Sequence, residues 1–396
     1  MDFDAPGPDD PRRVAVREWT RAHPRPSPRE LADAGYVAPH WPPPFGLGAD
    51  AEHQVIIDEE LVRAGVVLPE NQIGIGWAGP TILAAGTPEQ QQRFLPPLLD
   101  GSEFWCQLFS EPGAGSDLSM LSTRAELDGD TWVVNGQKIW STWADRSRWG
   151  ILLARTDPQL PKHRGISYFV CPMDDPGVTI RPIREMSGGH HFTEVFLDDV
   201  RIPADQMIGG RGEGWRLAKV TLGNERVSLS TGGLCWGMGP TSYDFFMLLR
   251  AAGGVDDPVA RQRAAQLYAE SFVLDLHGRR ILSEALAGRE PGPEASMKKF
   301  LADVAGQRIT ELAADLTGAA AMLSGDDGRG PLDGPPGEWP WAFLFARALS
   351  VGGGTSQVQR NILAEQVLGL PRDQDTTASV AWNEAVVARS GRETEP

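Results

Sequence analysis

Residues 104–121 read FWCQLFSEPGAGSDLSML, an apolar run followed by a turn rich in glycine. Gly113 and Gly115 remove side chains at points where the backbone must approach something closely. Ser110, Ser116 and the nearby backbone N–H groups offer hydrogen bonds to a polar ligand, either heterocyclic or phosphorylated. Spacing alone leaves a second interpretation open, an ordinary turn after a strand, because short glycine patterns are common.

The stretch downstream of this motif has the pattern of short β-strands. Asn135-Gly136 lies between two apolar runs in DTWVVNGQKIWSTW (130–143), which predicts a β-hairpin turn at that dipeptide. Several short strands separated by turn clusters predict a small β-barrel or sandwich domain. The further strand candidates are GILLAR (150–155), ISYFVCP (166–172), VTIRPI (178–183) and TEVFLDDV (193–200).

Helical patterns lie on both sides of the strand region. Upstream, apolar residues at helical spacing precede Gly65, which predicts a helix that ends there. Thr87 is placed to cap a second helix over residues 88–99. Helical spacing returns from Gly214, and the Gly- and Pro-rich residues 324–340 predict a loop within it. The order of helices, strands and helices predicts an α+β fold that is mainly α.

Composition and charge exclude several classes of function. The 396 residues carry a formal net charge of −16, and phosphate binding needs a basic surface, so we expect no nucleic-acid partner. No apolar run reaches the roughly 18 residues of a membrane span, and the N-terminus lacks the apolar core of a signal peptide. We therefore expect a cytoplasmic protein with no membrane span.

The adjacent His190 and His191 do not form the i, i+4 metal pair of a helix, and we expect no metal site. Three cysteines are spaced too widely for a disulfide framework or a zinc site: Cys106, Cys171 and Cys235.

Four motifs together resemble the acyl-CoA dehydrogenase family, in order, between about residue 30 and residue 373. They are FSEPGAGSD (109–117), NGQKIWSTWADRSRW (135–149), VFLDDVRIP (195–203) and GGGTSQVQRNILAEQVLGLPRD (352–373). The resemblance implies FAD bound between a β-domain and a helical bundle, with a fatty-acyl thioester of CoA as the substrate. The implied domains are an N-terminal helical domain (1–104), a central β-barrel or sandwich domain (105–213) and a C-terminal four-helix bundle (214–396).

The resemblance also implies roles for individual residues. Trp140 would pack against the isoalloxazine ring of FAD, although an aromatic residue on a hairpin also suits a core position. Ser116 would contact the CoA arm, and Arg226 would reach its pantetheine or phosphate end. Arg250 is the nearest candidate for the family's arginine that grips the FAD pyrophosphate from a neighbouring subunit. The other implied cofactor-binding residues are Gln107, Phe109 and Ser110 on the pyrimidine side of the flavin, Gly115 and Ser116 in the same motif, Ser141 and Thr142 near the flavin N5 edge, and Thr355 and Gln357 at the ADP half.

The reaction of this family needs a carboxylate, because an α-proton of the thioester passes to a base while a β-hydride passes to flavin N5. Many members place the base directly before the Gly-Thr of the last motif, where this chain has Gly353, and glycine accepts no proton. A second position known in the family matches Glu225, on a predicted helix over residues 213–233 whose apolar spacing indicates packing. A carboxylate there is costly to bury unless it is paired or functional. The alternative is a Glu225–Arg226 pair on a solvated helix face. Adjacent residues on a helix do not face each other, so we favour Glu225 as the base.

Several alternatives remain open at this point. Gly353 is explained if the chain is not a dehydrogenase, if the base lies elsewhere in the chain, or if another subunit supplies it. A small residue there also leaves room for a second carboxylate or a branched acyl group. The resemblance implies an electron-transferring flavoprotein as acceptor, and a homo-oligomer (dimer or tetramer) or a heterotetramer with a related chain. The competing functions are a non-catalytic subunit of such a complex and a flavin oxidase or monooxygenase on the same fold.

Overall fold

The computed structural model describes residues 7–228, 234–236, 238–286, 292–293, 295–322 and 338–392. Internal contacts divide the chain into two compact units. The first unit holds Met1–Ile183, His191–Thr221 and Asp375–Pro396, and the second holds Arg184–His190 and Leu222–Gln374.

Local sequence signals explain the helices of the first unit. Asp50 caps one helix through its side chain, and that helix stops two residues before Gly65, which has a φ of 69°. Thr87 caps the start of another, as the sequence predicts, and it forms a capping box with Gln90. The helices are α1 (Pro11–Ala22), α2 (Pro28–Asp33), α3 (Ala51–Arg63), α4 (Gly79–Ala85) and α5 (Pro88–Leu99), with a π-helical turn at Gly74–Ala78.

The first unit contains one eight-stranded sheet. Its strands are β1 (Trp105–Leu108), β2 (Arg124–Asp128), β3 (Thr131–Thr142), β4 (Trp149–Arg155), β5 (Ile166–Pro172), β6 (Val178–Pro182), β7 (Phe192–Pro203) and β8 (Met207–Ile208). The order is β6-β7-β3-β2-β4-β5-β8, and β1 pairs with β4 in parallel. Short 3₁₀ turns lie at Leu118–Met120, Ala144–Arg146 and Ala204–Gln206.

The predicted hairpin at Asn135-Gly136 is wrong. β3 continues through this dipeptide and shows a register shift against β7 between Val134 and Gly136. A Cβ at Gly136 would lie 2.7 Å from the Cα of Thr123, so this glycine serves a close approach of two backbones. The hairpin turn instead joins β2 to β3, where Asp128 pairs with Thr131 and Gly129 has a φ of 64°.

The C-terminal segment of the chain belongs to the first unit. The Asp375 carboxylate pairs with Lys162 at 2.8 Å, and the indole N–H of Trp382 donates to the Met120 carbonyl oxygen at 3.3 Å. The Arg155 guanidinium lies 4.5 Å from the centre of the Trp382 ring. These contacts hold α12 (Trp382–Arg392) against the strand region.

The second unit is helical. α6 (Gly214–Ser228) enters it from the first unit, because the division falls after Thr221. The other helices are α7 (Ser242–Ala251), α8 (Pro258–Leu286), α9 (Ala295–Thr317), α10 (Glu338–Phe345) and α11 (Ser356–Ile362), with 3₁₀ turns at Gly318–Met322 and Ala346–Ser350 and a π-helical turn at Leu363–Val367. Its buried core joins α7, α8 and α9: Phe245, Leu248, Leu249, Ala264, Leu267, Ile309, Leu312 and Ala313.

The predicted fold class is confirmed, with helices before and after a β region. Of the predicted loop over residues 324–340, residues 324–337 lie outside the described part of the chain, and residues 338–340 begin α10. Within the described ranges, no helix has the length and apolarity to cross a membrane. The same ranges contain no cluster of three or more His, Cys, Asp or Glu side chains arranged to hold a metal ion.

Candidate functional site

Two predicted segments lie side by side within the first unit. The backbone N–H of Ile139, on β3, donates to the carbonyl oxygen of Ser110 at 3.0 Å. The Lys138 ammonium, on the same strand, donates to the Phe109 carbonyl oxygen, also at 3.0 Å. The structure therefore joins the FSEPGAGSD motif to the strand that carries Trp140.

Trp140 is an exposed aromatic residue on strained backbone. Its φ is 61°, a region that bulky residues rarely occupy, and its side chain is 57% exposed. The pairing of β3 with β7 shifts between Lys138 and Ser141, and such a bulge turns a side chain away from its regular direction. Its ring meets only the edge of Phe192, with 6.0 Å between ring centres, among the described aromatic rings. Trp140 therefore does not fill the core of the strand region.

The two residues after Trp140 differ in accessibility. Ser141 is 1% exposed, and its hydroxyl oxygen is buried with no hydrogen-bond partner among the described residues. The Thr193 hydroxyl donates to the Ser141 carbonyl oxygen at 2.9 Å. Thr142 is half-buried at the end of β3. Both remain predicted flavin contacts, and Thr142 is the more accessible of the two.

The other predicted residues of the FSEPGAGSD region divide between core and surface. Phe109 is buried with its ring edge-on to Tyr168, 6.0 Å between ring centres, while Gln107 is half-buried in β1. Gly115 and Ser116 are exposed, and a Cβ at Gly115 would meet nothing within 4 Å. The predicted ligand contacts of Gly115 and Ser116 would therefore be made at an exposed surface.

A buried ion pair shapes the same motif, and the sequence reasoning missed it. The Lys138 ammonium donates to Glu111 at 2.8 Å, and both side chains are almost wholly buried. The other oxygen of Glu111 accepts from the Ser122 N–H at 2.6 Å, and the Thr123 N–H also donates to this carboxylate. Burial raises the pKa of Glu111, but the charge and hydrogen bond of Lys138 outweigh it and hold the pKa at about 2. The signal that was available is a lysine at an inward-facing strand position two residues before Trp140.

Glu225 lies on the buried face of α6. It is 6% exposed and follows Leu217 and Thr221, which are fully buried, at intervals of four residues. Glu225 therefore does not lie on a solvated helix face, which was the alternative to a functional carboxylate. The side chain of the neighbouring Arg226, the predicted CoA contact, lies outside the described part of the chain.

The glycine-rich segment before α11 belongs to the second unit. Gly353 and Gly354 have φ values of 63° and 80°, which glycine adopts without steric cost. Thr355 caps α11, because its hydroxyl accepts from the Val358 N–H at 3.1 Å. Gln357 is exposed in the first turn of α11. The predicted Arg250 is exposed at the end of α7, also in this unit.

The residues that fit a flavin best are those around Trp140. A half-exposed indole held on a strained bulge offers a flat surface for a heterocycle. The half-buried Gln107 and Ser110 lie on the adjoining segment and carry polar groups. The chemistry of this set suits the edge and face of a planar, hydrogen-bonding ring system.

Models of three consecutive protein-family domains match the chain. The descriptions are acyl-CoA dehydrogenase, N-terminal domain (residues 11–102), middle domain (residues 106–200) and C-terminal domain (residues 212–368). Together these matches cover most of the sequence.

Curated proteins and solved structures are similar over nearly the same span. Acyl-CoA dehydrogenase FadE34 of Mycobacterium tuberculosis is 43% identical over 86% of this chain, which spans only 46% of that protein. Acyl-CoA dehydrogenase IpdE1 of the same organism is 41% identical over 87% of each chain. The structure described as "Tcur3481-Tcur3483 steroid ACAD" has a TM-score of 0.76 and 27% identity, and covers 94% of this chain and 100% of that one. The ChsE4-ChsE5 complex from Mycobacterium tuberculosis has a TM-score of 0.74 and 29% identity, with the same coverage.

Proposed function

The chain belongs to the acyl-CoA dehydrogenase family, and we propose that it oxidises an acyl-CoA thioester across the α–β bond with Glu225 as the base. The observation that carries this assignment is the burial of Glu225 on the packed face of α6. Gly353, at the family's usual base position, supplies no carboxylate. A buried carboxylate at the family's second base position is the group of this chain best suited to take the proton.

The proposed mechanism assigns a separate task to each group. The α-proton of the substrate moves to the Glu225 carboxylate. Gln107, Ser110 and Trp140 would hold FAD, which would supply the acceptor for the β-hydride. Negative charge then develops on the thioester carbonyl oxygen, where a hydrogen-bond donor stabilises it. We assign that donor to the backbone N–H of Gly353, which has no acceptor within the described part of the chain. We further propose that the electrons pass to an electron-transferring flavoprotein, as the family resemblance implies.

Anaerobic titration of the purified protein with acyl-CoA thioesters tests the proposed function. Flavin absorbance that bleaches on addition of a thioester supports it. The panel should include straight-chain, branched and steroid thioesters, because one structural neighbour is described as a steroid ACAD. A pure chain without bound flavin would favour the alternative, a non-catalytic subunit. The observation behind that alternative is the similarity to a two-component complex.

Replacing Trp140 by alanine is expected to weaken FAD binding. A stacked aromatic contact contributes about 0.5–1.5 kcal/mol beyond area burial, which corresponds to a roughly 2- to 12-fold rise in Kd. Equilibrium dialysis of FAD against the two proteins measures the change. Trp140→Phe is the matched control, since it keeps a ring and should retain most of the affinity. Equal FAD affinity in Trp140→Ala and the wild type would refute the stacking role.

An exposed aromatic stripe in the second unit supports the proposal of an oligomer. On α8, the rings of Tyr268 and Phe272 stack in parallel, 6.5 Å between their centres, and both are more than half exposed. Among the described residues, the other exposed apolar side chains on α7 and α8 are Tyr243, Met247, Val259, Val273 and Leu276. Contiguous apolar surface on a helix face marks an interaction site. We propose that a second chain of this family, either a copy or a related subunit, covers it.

Phe272→Glu is expected to convert the assembly to smaller species, because it places a charge in the middle of this stripe. Light scattering coupled to size exclusion, at matched protein concentration, measures the mass. Gln262→Glu adds the same charge at an exposed polar position of α8 and should leave the mass unchanged. A wild-type chain that is a stable monomer with FAD bound contradicts the proposal.

A further inference from the structure

A buried lysine binds the glycine-rich segment of the second unit, residues 349–354. Lys299 lies on α9 and its side chain is 1% exposed. Its ammonium donates to the carbonyl oxygens of Leu349, Gly352 and Gly354 at 2.8, 2.9 and 3.1 Å. It also pairs with Asp303, one helical turn further along α9, at 2.5 Å. A buried ammonium is stable only when its donors are satisfied, and here the main chain of one segment supplies most of the acceptors.

The carboxylate partner is buried as well. Asp303 is 4% exposed in its side chain. Burial raises the pKa of Asp303 to about 7, and the Lys299 charge acts in the opposite direction. An ion pair in such a place is weak evidence for a contribution to stability, because desolvation offsets much of the attraction. Its placement therefore calls for another explanation.

The segment that the lysine holds is fixed from a second side. The Gln359 amide donates to the carbonyl oxygen of Gly353 at 3.1 Å. A Cβ at Gly352 would collide with the ring of Trp236, so the segment also packs tightly there. The carbonyl oxygens of Gly352, Gly353 and Gly354 are thus all occupied by side chains of the same unit.

Occupied carbonyls determine where the N–H groups point. In a trans peptide the C=O and the N–H of the next residue point in opposite directions. The bond from Lys299 to the Gly352 carbonyl oxygen therefore turns the Gly353 N–H away from the ammonium. This is the N–H that the proposed function assigns to the thioester carbonyl.

We propose that Lys299, braced by Asp303, is a positioning residue that orients the Gly353 N–H for the thioester. The inference rests on the proposed function. Lys299 touches neither substrate nor cofactor in this role and acts through the backbone. Loss of its hydrogen bonds frees the Gly352 carbonyl to rotate, and the opposite N–H rotates with it.

Lys299→Met tests this role, because methionine keeps a similar length and volume but donates no hydrogen bond. Two measurements are needed: hydrogen exchange of the protein as purified over residues 349–358, and anaerobic stopped-flow flavin reduction by a thioester that reduces the wild type. We expect faster exchange in that segment. We also expect a limiting reduction rate per bound flavin that falls on the order of 10²-fold, with little change in the half-saturating concentration. Lys298→Met is the matched control, since Lys298 is half-buried and makes no hydrogen bond to the segment among the described residues.

The outcomes separate this inference from the proposed function. If no thioester reduces the flavin of the wild-type protein, the proposed function is wrong. The exchange measurement then still reports whether Lys299 holds the segment. Unchanged exchange, or faster exchange with a wild-type reduction rate, overturns the positioning role. If Lys299→Met does not fold, Lys299→Arg replaces it. That variant keeps the positive charge beside Asp303. The N–H groups of its planar guanidinium, however, do not converge on three carbonyl oxygens that surround a single ammonium nitrogen. Faster exchange and slower flavin reduction are therefore expected again. A wild-type rate in Lys299→Arg overturns the inference.

Discussion

Glu225→Gln is expected to retain the fold and bound FAD but to lose flavin reduction by acyl-CoA. Glutamine is nearly isosteric with glutamate, so the packing of this buried side chain changes little. The amide has no useful proton affinity, however, and loss of a general base costs about 10²–10⁴-fold in rate. Anaerobic stopped-flow bleaching, with a thioester that reduces the wild type, measures the effect directly on the chemical step.

The controls separate the base from a general effect of losing a charge. Glu311→Gln removes a half-exposed glutamate of α9 that pairs with Arg347, and it should bleach at the wild-type rate. Glu225→Asp keeps a carboxylate but withdraws it by one methylene, so an intermediate rate is expected. Bleaching of Glu225→Gln at the wild-type rate would remove Glu225 from the mechanism. A partner subunit or another carboxylate would then have to supply the base.

A carboxylate at the family's usual position is expected to rescue Glu225→Gln only in part. Gly353 has a φ of 63°, and a side chain in the left-handed region costs roughly 1–2 kcal/mol. Gly353→Glu must therefore strain the segment or change its backbone, and its carboxylate must still come within about 3 Å of the α-proton. Partial recovery with straight-chain substrates in the double variant would show that the reaction accepts a base at position 225 or at position 353.

Local signals in the sequence were sufficient for elements whose ends depend on near neighbours. The Thr87 cap and its partner Gln90 are three residues apart, so the start of α5 is visible in the sequence alone. Compact apolar runs such as GILLAR and ISYFVCP likewise correspond to β4 and β5, which are buried throughout or nearly so. The family motifs placed Glu225 on a helix, and its burial agrees with the apolar spacing around it.

Features that depend on distant pairing were not visible. Asn135-Gly136 has the composition of a hairpin turn, but the approach of Thr123 and the pairing of β3 with β7 make it part of a continuous strand. The bonds between Lys299 and the glycine-rich segment span 50 residues or more, and no local pattern indicates them.

The second large effect is expected in the ion pair of the first unit. Glu111→Gln leaves the Lys138 ammonium buried without its countercharge, and breaking a buried pair by removing one partner costs about 3–5 kcal/mol. Urea unfolding near neutral pH, followed by tryptophan fluorescence, measures the loss. Glu126→Gln, at an exposed position of β2, is the matched control and should stay within about 0.5 kcal/mol of the wild type. Lys138→Met in the Glu111→Gln background removes both charges and should recover part of the stability.

The same pair gives a pH dependence with a defined sign. The pKa of Glu111 lies at about 2 in the folded chain and at its ordinary value of 4.5 when unfolded, so the folded state binds this proton less tightly. Its contribution to the free energy of unfolding is therefore complete above pH 4.5 and is lost as the pH falls towards 2. The shift corresponds to about 3 kcal/mol. Glu111→Gln should lack this part of the acid-dependent loss. If the free energy of unfolding falls with pH in parallel in the two proteins, Lys138 does not hold Glu111 ionised. Other contacts would then have to hold the backbone of the FSEPGAGSD motif.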